Sequence, residues 1–266
     1  MGDRSATWGT ERPGGPGDAG LWTVRRSETI DSTNRWVLEA ARAGAPEGLV
    51  AVADHQAAGR GRRGRVWDAP PGSSLLVSLL LRPGSWAPPL AADRIHLLTM
   101  ATGLALADAV AEVGGIDAEV KWPNDLVVGD RKLAGLLAEA EVSGTGEPRV
   151  VVVGAGCNVS QDAFPAHLAA TATSCEMEAG HVVDREALLV VFLDEMTRRF
   201  ASLDQVAVDY RERLGTLGRV VRVDLGGDTV DGIAVDVDAV GRLEVECPDG
   251  SRVTVAVGDV VHLRPG

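Results

Sequence analysis

The sequence predicts an α+β protein built on a mixed or antiparallel sheet, followed by a small β-barrel. Strand-like runs succeed one another through tight turns, where a doubly wound fold would alternate strand with helix. Long helical periodicity is confined to a few stretches, about 31–43, 93–113 and 184–203. After Gly218 the texture changes to four or five short strands punctuated by Gly226-Gly227, Gly241 and Asp249-Gly250, the pattern of a small barrel.

Residues 1–20 are rich in Gly, Pro, Asp and Arg and show neither period, so they lack the apolar area to offset chain ordering and are expected to form a disordered tail. Trp22 to Ile30 reads as a strand. Asp31 to Ala43 reads as a short helix, with Ser32 or Thr33 as N-cap, Trp36, Val37, Ala40 and Ala41 as the buried stripe and Gly44 as the stop. Leu49 to Ala53 is a strand, and Gln56 to Trp67, which holds three glycines and four arginines, is a loop. Leu75 to Leu81 is a buried strand. A helix from about Asp93 to Val113 presents Ile95, Leu98, Thr102, Leu106, Ala109 and Val113 on one side. Two strands then meet at Gly129-Asp130, a pair suited to a two-residue hairpin turn. Arg149 to Val153 continues as a strand into Gly154-Ala155-Gly156-Cys157-Asn158, and Asp184 to Leu203 is a helix facing Leu188, Val191, Phe192, Met196, Phe200 and Leu203 inward. Barrel strands are expected at 219–225, 229–236, 242–246 and 252–257. The boundary near Gly215 to Leu217 divides a larger domain, 21–216, from a smaller one, 217–266.

With 266 residues, of which 45% are hydrophobic, the chain has material for one sizeable core and a small second domain. Aromatics supply 4%, so the core is expected to be aliphatic. The formal net charge of -12 argues against general attraction to nucleic acid or to an anionic membrane surface. Cys157, Cys175 and Cys247 show no C-x-x-C spacing, giving neither a zinc signature nor a disulfide framework. No run reaches the roughly 18 apolar residues of a membrane span, and no apolar leader follows Met1, so a cytoplasmic location is expected.

Four clusters carry chemistry. In Gly59-Arg60-Gly61-Arg62-Arg63-Gly64-Arg65 the guanidinium groups repel one another, and an acidic chain gains little by grouping them unless an anion arrives. Glycines between them let backbone approach that anion, so the implied ligand is small and polyanionic. The competing reading, a solvated or RGG-like segment, is weakened by the acidic whole and by the lack of stacking aromatics before Trp67. In Lys121-Trp122-Pro123-Asn124-Asp125 the proline bars a regular central strand, which leaves a bulge or strand end able to aim polar side chains into a cleft. Lys132 opens the run Leu133 to Ala140, almost wholly apolar, and is either a snorkelling cation or a desolvated charge awaiting an anion. Gly154-x-Gly156-x-Asn158 is a weak phosphate-loop signal by itself, because the dinucleotide pattern fails at Val159, although Asn158 could pair with an adenine-like edge. Ser32-Thr33-Asn34 is either a helix cap or a binder of a neutral hydrogen-bonding headgroup.

Ser32-Thr33-Asn34, Gln56-x-x-Gly59-Arg60-Gly61-Arg62-Arg63-Gly64-Arg65-x-Trp67, Lys121-Trp122-Pro123-Asn124-Asp125, Lys132-Leu133-Ala134-Gly135 and Gly154-x-Gly156-x-Asn158 occur in the order and approximate spacing of the biotin–protein ligase family. The chain resembles that family tightly from Ile30 to about Asn158 and in outline beyond. The resemblance implies a catalytic domain related to class II aminoacyl-tRNA synthetases and lipoate ligases, with a C-terminal SH3-like barrel. It also implies ATP-dependent formation of biotinyl-5'-AMP with release of pyrophosphate, then transfer of biotin to a lysine of the biotin carboxyl carrier domain of biotin-dependent carboxylases.

Carried over position by position, Ser32, Thr33, Asn34, Gln56, Arg60 and the Gly61 backbone, with Arg62, Lys132 and Gly135, resemble the biotin site. Arg62, Arg65, Trp67, Asn124, Lys132 and Asn158 resemble the ATP side, and Lys132 and Arg62 the catalytic pair. Magnesium would come with ATP. No dedicated metal-ligating residue is implied, although Asp125 could orient a magnesium-bound water or the incoming lysine. Some family members carry an N-terminal DNA-binding winged helix, which the residues before Leu21 are too few to form, so specific nucleic-acid binding is not expected. No membrane partner is expected, and monomer and homodimer both stay open. Cys157, and Cys175 in Ala172-Thr173-Ser174-Cys175, depart from the family's usual aliphatic residues. Two rivals remain: a lipoate or octanoate ligase, whose fatty substrate would not need the Ser-Thr-Asn headgroup site, and a non-catalytic biotin sensor.

Overall fold

The computed structural model describes residues 9–11, 21–144, 146–256 and 258–263. The larger layer is an eight-stranded sheet made of β1 (Gly9–Glu11), β2 (Thr23–Ile30), β3 (Leu49–Gln56), β4 (Ser74–Leu81), β5 (Glu119–Lys121), β6 (Asp125–Val128), β7 (Arg131–Val142) and β8 (Pro148–Asn158), in the order β1-β2-β3-β4-β8-β7-β6-β5. Only β2 and β3 pair in parallel. Every other neighbouring pair is antiparallel. The sheet is therefore mixed. Its single parallel pair is the one joined by a helix, α1 (Thr33–Arg42), as a parallel crossover requires.

Helix α1 covers one face of the sheet, setting Val37, Leu38 and Ala41 against Ala51, Leu80, Val150 and Val152. The other face is covered by α2 (His96–Gly114), α3 (Cys175–Ala179), α4 (Arg185–Ala201) and α5 (Val206–Glu212), with Leu98, Leu104, Phe192 and Met196 in one core with Leu75, Val77 and Leu79. Phe192 is fully buried there, so Phe192→Ala removes about 3–5 kcal/mol. A second, wholly antiparallel sheet follows, made of β9 (Val220–Asp224), β10 (Thr229–Val237), β11 (Leu243–Glu246), β12 (Arg252–Val255) and β13 (Asp259–His262) in the order β12-β11-β10-β9-β13. Its inward residues Val221, Val223, Ala234, Leu243 and Val245 belong to the same buried cluster as the main sheet, so the two sheets share a core.

Several expectations need correction. Within the stretch read as a disordered tail, Gly9–Glu11 forms an edge strand on β2, too short to show a period in sequence; residues 1–8 and 12–20 lie outside the described residues. Ser32 occupies the N-cap position of α1, but its side chain makes no capping bond. Leu38 is buried in the stripe of α1 as well, with Val37 and Ala41, while Trp36 and Ala40 pack half-buried against it. Helix α2 is buried on nearly every side rather than one, because it packs against α4, α5 and the main sheet while its Met100 lies against Gly241 between β10 and β11. By length and composition Ala92–Gly114 is apolar enough to cross a membrane, contrary to expectation, but 72% of its most apolar 18 residues are buried inside the protein. Helices α3 and α5 span under two turns each and left no periodic signal.

Candidate functional site

One cleft of about 600 Å³ opens where the arginine loop and the β6–β7 hairpin meet the second sheet. Ser32, Thr33, Asn34, Gln56, Arg60, Gly61 and Arg62 line it, and so do Arg65, Trp67, Asn124, Lys132, Gly135 and Asn158. The cleft brings together clusters that lie more than 120 positions apart in the sequence.

One end is a tightly bonded polar corner. The backbone N–H of Thr33 donates to Gln56 Oε1 at 2.7 Å and the Thr33 hydroxyl to the same oxygen at 3.0 Å. Asn34 is buried, its Nδ2 donating to Leu137 O at 3.1 Å and to Glu139 Oε2 at 2.9 Å while its Oδ1 lies 2.6 Å from Ser78 Oγ. Both Nδ2 protons of Asn34 are thus used within the protein, which fixes the corner's shape. Ser78 escaped the sequence reading, although a serine inside the otherwise apolar run of β4 was a signal. Gly154 makes room: a Cβ there would sit 2.1 Å from Asn34 Oδ1. Arg60 pairs with Glu139 at 2.8 Å, above the corner.

The other end is cationic. Lys132 Nζ lies 2.7 Å from Asp125 Oδ1 and 5.7 Å from the centre of the Trp67 ring. Trp67 lies flat on the sheet because Gly156 and Gly135 have no side chains: a Cβ at either would fall 2.6 Å or 3.1 Å from the indole. The Gly154-x-Gly156 pattern therefore seats two side chains, Asn34 and Trp67, and does not cradle a phosphate by its own backbone. Trp67 Nε1 is buried without a partner among the described residues. Asn124 Nδ2 donates to Leu136 O at 2.6 Å, and its Oδ1 accepts from Arg62 Nη1 at 3.1 Å. Burial lowers the pKa of Arg62, and nearby Asp259 partly offsets this. Lys121, a cleft residue of the Lys-Trp-Pro-Asn-Asp motif to which no role was given, is also lowered by burial, against the pull of Asp125.

The loop is where the structure departs most from expectation. Its arginines already have anionic partners, supplied by the protein itself. Arg63 Nη1 lies 3.0 Å from Asp224 Oδ2, Arg62 Nη1 lies 3.6 Å from Asp259 Oδ1, and Arg65 pairs closely with Asp259. These acids stand on β9 and β13, more than 150 residues along the chain, where sequence spacing could not connect them to the loop.

Asn158 lines the cleft, but its Nδ2 donates to Thr173 O at 2.9 Å and its Oδ1 accepts from Gln161 at 3.2 Å. It braces the floor instead of presenting an edge. Beneath it Cys157 and Cys175 lie 3.9 Å apart, both buried, and the contact and burial push the Cys157 thiol well up. Trp122 also turns away from the cleft centre, its Nε1 donating to Gly241 O at 2.9 Å and tying the motif to the second sheet. No cluster of three or more metal-ligating side chains occurs among the described residues. A site with a neutral hydrogen-bonding corner at one end and fixed cations at the other suits a substrate with a polar neutral head and an anionic tail, placed beside a polyanion.

Residues 27–158 match the family described as "Biotin/lipoate A/B protein ligase family", and residues 216–263 match "Biotin protein ligase C terminal domain". The chain is 39% identical over 244 residues to the biotin--[acetyl-CoA-carboxylase] ligase of Mycobacterium tuberculosis, covering 88% of this chain and 86% of that one. It is 33% identical over 223 residues to the bifunctional ligase/repressor BirA of Escherichia coli, covering 82% of this chain and 67% of that one. The biotin protein ligase from Aquifex aeolicus, solved in complex with biotin and ATP, superposes with a TM-score of 0.76 at 26% identity over 91% of this chain and 99% of that one.

Proposed function

Because this chain belongs to the biotin/lipoate A/B protein ligase family and is a biotin–protein ligase by its similarity to members of that family, we propose that it joins biotin to ATP as biotinyl-5'-AMP, releasing pyrophosphate, and then transfers biotin to a lysine of a biotin carboxyl carrier domain. One observation carries this reading: a single cleft joins the Thr33–Gln56–Asn34 corner to the cations Lys132, Arg62 and Arg65. Biotin brings a neutral ureido head and a carboxylate tail. The corner suits the head, with the Arg60–Glu139 pair above it. The tail would reach Lys132.

A carboxylate and an α-phosphate are both negative, so their approach needs positive charge fixed where it accumulates. Lys132 enters with Asp125 as its partner, which holds Nζ at the cleft wall without cancelling its directional bonds. Arg62 and Arg65 face the cleft from the loop and would hold phosphate oxygens, with Trp67 and Asn124 on the nucleotide side. Magnesium, once bound with the triphosphate, would neutralise phosphate charge, and Asp125 is a cleft-wall carboxylate able to take one of its waters. The mixed anhydride hydrolyses if water reaches it, so the Gly59–Trp67 loop would serve to shield it until a neutral carrier lysine attacks the acyl carbon and AMP leaves. The match of residues 216–263 to a biotin protein ligase domain supports biotin over lipoate as the acyl group, and 21–216 and 217–266 as the two working units.

Biotin-dependent ATP–pyrophosphate exchange, followed by intact-mass measurement of a carrier domain incubated with biotin and magnesium-ATP, tests both steps. Exchange that requires biotin, together with a single biotinyl mass increment, is the expected result. Exchange with lipoate and none with biotin, or biotin binding without exchange, would overturn the reading.

A further inference from the structure

Asp224 and Asp259 are cross-strand partners on β9 and β13, an arrangement in which like charges directly opposite destabilise a sheet unless cations sit on them. Three arginines do so, all from the cleft loop. Asp259 is three-quarters buried and lies within ion-pair distance of Arg62, Arg63 and Arg65. Arg63 is, among the described residues, the one non-glycine with a left-handed backbone, at φ 54°. Such a conformation costs of order 1 kcal/mol or more and persists only where contacts hold it. Here the contacts are the Asp224 carboxylate at 3.0 Å and the Asp224 carbonyl, which accepts from Arg63 Nη2 at 3.0 Å.

We propose that Asp259 is a positioning residue for adenylation: acting through Arg62 and Arg65, it holds the arginine loop over the cleft before the nucleotide arrives. The idea rests on the functional reading above and deepens it by giving the second sheet a part in the first step. A loop of clustered like charges would otherwise be splayed in the free enzyme, and the nucleotide would have to offset the cost of ordering it. Asp259 anchors the arginines from the side away from the sheet, leaving Arg62 bridged to Asn124 at 3.1 Å on the cleft wall. Asp224 holds the turn itself through Arg63. The sheet's two carboxylates thus act as counterions that shape a phosphate site.

The test is steady-state biotin-dependent ATP–pyrophosphate exchange by the full chain as wild type, Asp259→Asn and Asp259→Glu, with biotin affinity and thermal unfolding measured in parallel. Asp259→Asn should raise KM for ATP by about tenfold, equivalent to about 1.4 kcal/mol, with kcat changed less than about threefold. Biotin affinity, to which the same loop contributes through Arg60, Gly61 and Arg62, should fall by less than KM for ATP rises. Asp259→Glu should recover most of the loss, which a merely structural role does not predict. If KM for ATP is unchanged or falls, Asp259 is not positioning the arginines and the proposal is wrong. Should Asp259→Asn not accumulate as folded protein, hydrogen exchange of residues 59–67 in the nucleotide-free wild type replaces it: exchange should quicken between about 0.05 M and 1 M salt as these ion pairs are screened, and salt-independent protection would refute the idea. Absence of exchange activity in the wild type would instead count against the functional reading itself.

Discussion

Gly154→Ala offers a sharp test of how the polar corner is built. The added methyl carbon would lie 2.1 Å from Asn34 Oδ1, far inside contact distance, while Ser78 Oγ and the Asn34 amide carbon crowd the same spot at 3.2 Å and 3.0 Å. Backbone on β8 is held on both sides by β4 and β7, so Asn34 must give way. Doing so breaks its bonds to Leu137 O, Glu139 and Ser78. At about 1 kcal/mol per bond, less about 0.4–1 kcal/mol regained from the stiffer unfolded chain, the net loss is about 2–3 kcal/mol. For a chain of this size that lowers Tm by roughly 4–12 °C. Gly156→Ala is the control: its methyl would meet the Trp67 ring at 2.6 Å, but Trp67 sits on the loop and its Nε1 makes no bond to lose. The ring can swing aside at a cost under about 1 kcal/mol of stability, so that variant should keep its Tm and instead weaken ATP binding. Calorimetric melting with biotin and ATP titrations separates the two. A Gly154→Ala protein that melts within about 2 °C of wild type, or a Gly156→Ala protein that loses as much stability, would refute the claim that these glycines seat Asn34 and Trp67.

Lys132→Ala should lose most adenylate formation, several kcal/mol being plausible for a charge whose main work is in the transition state; rapid-quench synthesis close to wild type would contradict it. Arg62→Gly should still make biotinyl-5'-AMP but release it faster, because Arg62 reaches the cleft from a loop; labelling of lysines on an added inert protein reports the escape, and abolished synthesis would rule out this division of roles. His262 is held down to about 4 by burial, with Lys121 and Arg219 adding to the effect. Its folded pKa lies below the unfolded value of about 6.5, so its contribution is intact above that pH and is lost as pH falls toward 4. For a ring about half exposed, solvent screening limits this to about 1–2 kcal/mol. Urea unfolding at pH 7 and pH 4.5 should therefore show a smaller pH dependence in His262→Gln than in wild type; equal dependence would exclude this residue as a cause.

What could be read from the sequence divides by the range of the interaction that fixes it. Local periodicity placed α1, α2 and α4, the hairpin at Gly129-Asp130 and four of the five strands of the second sheet, since each depends on neighbours a few residues away; β13 (Asp259–His262), four residues long, was not placed. Residue chemistry nominated the loop arginines, Lys132 and Asn124, because unusual groups in unusual company leave a local trace. The pairing partners were not legible. Gly154 and Gly156 look like a phosphate loop in one dimension, and only the packing of α1 and of the loop against β8 shows that they seat Asn34 and Trp67. Likewise a chain with net charge -12 seemed to gather arginines without counterions, when two aspartates on distant strands of the second sheet were holding them. If the loop's charge is balanced in advance and Asp259 keeps its hold while the nucleotide binds, binding need not order a bare cationic coil. Its salt dependence should then be shallower than a count of arginines implies, because the carboxylates already neutralise part of the loop's charge.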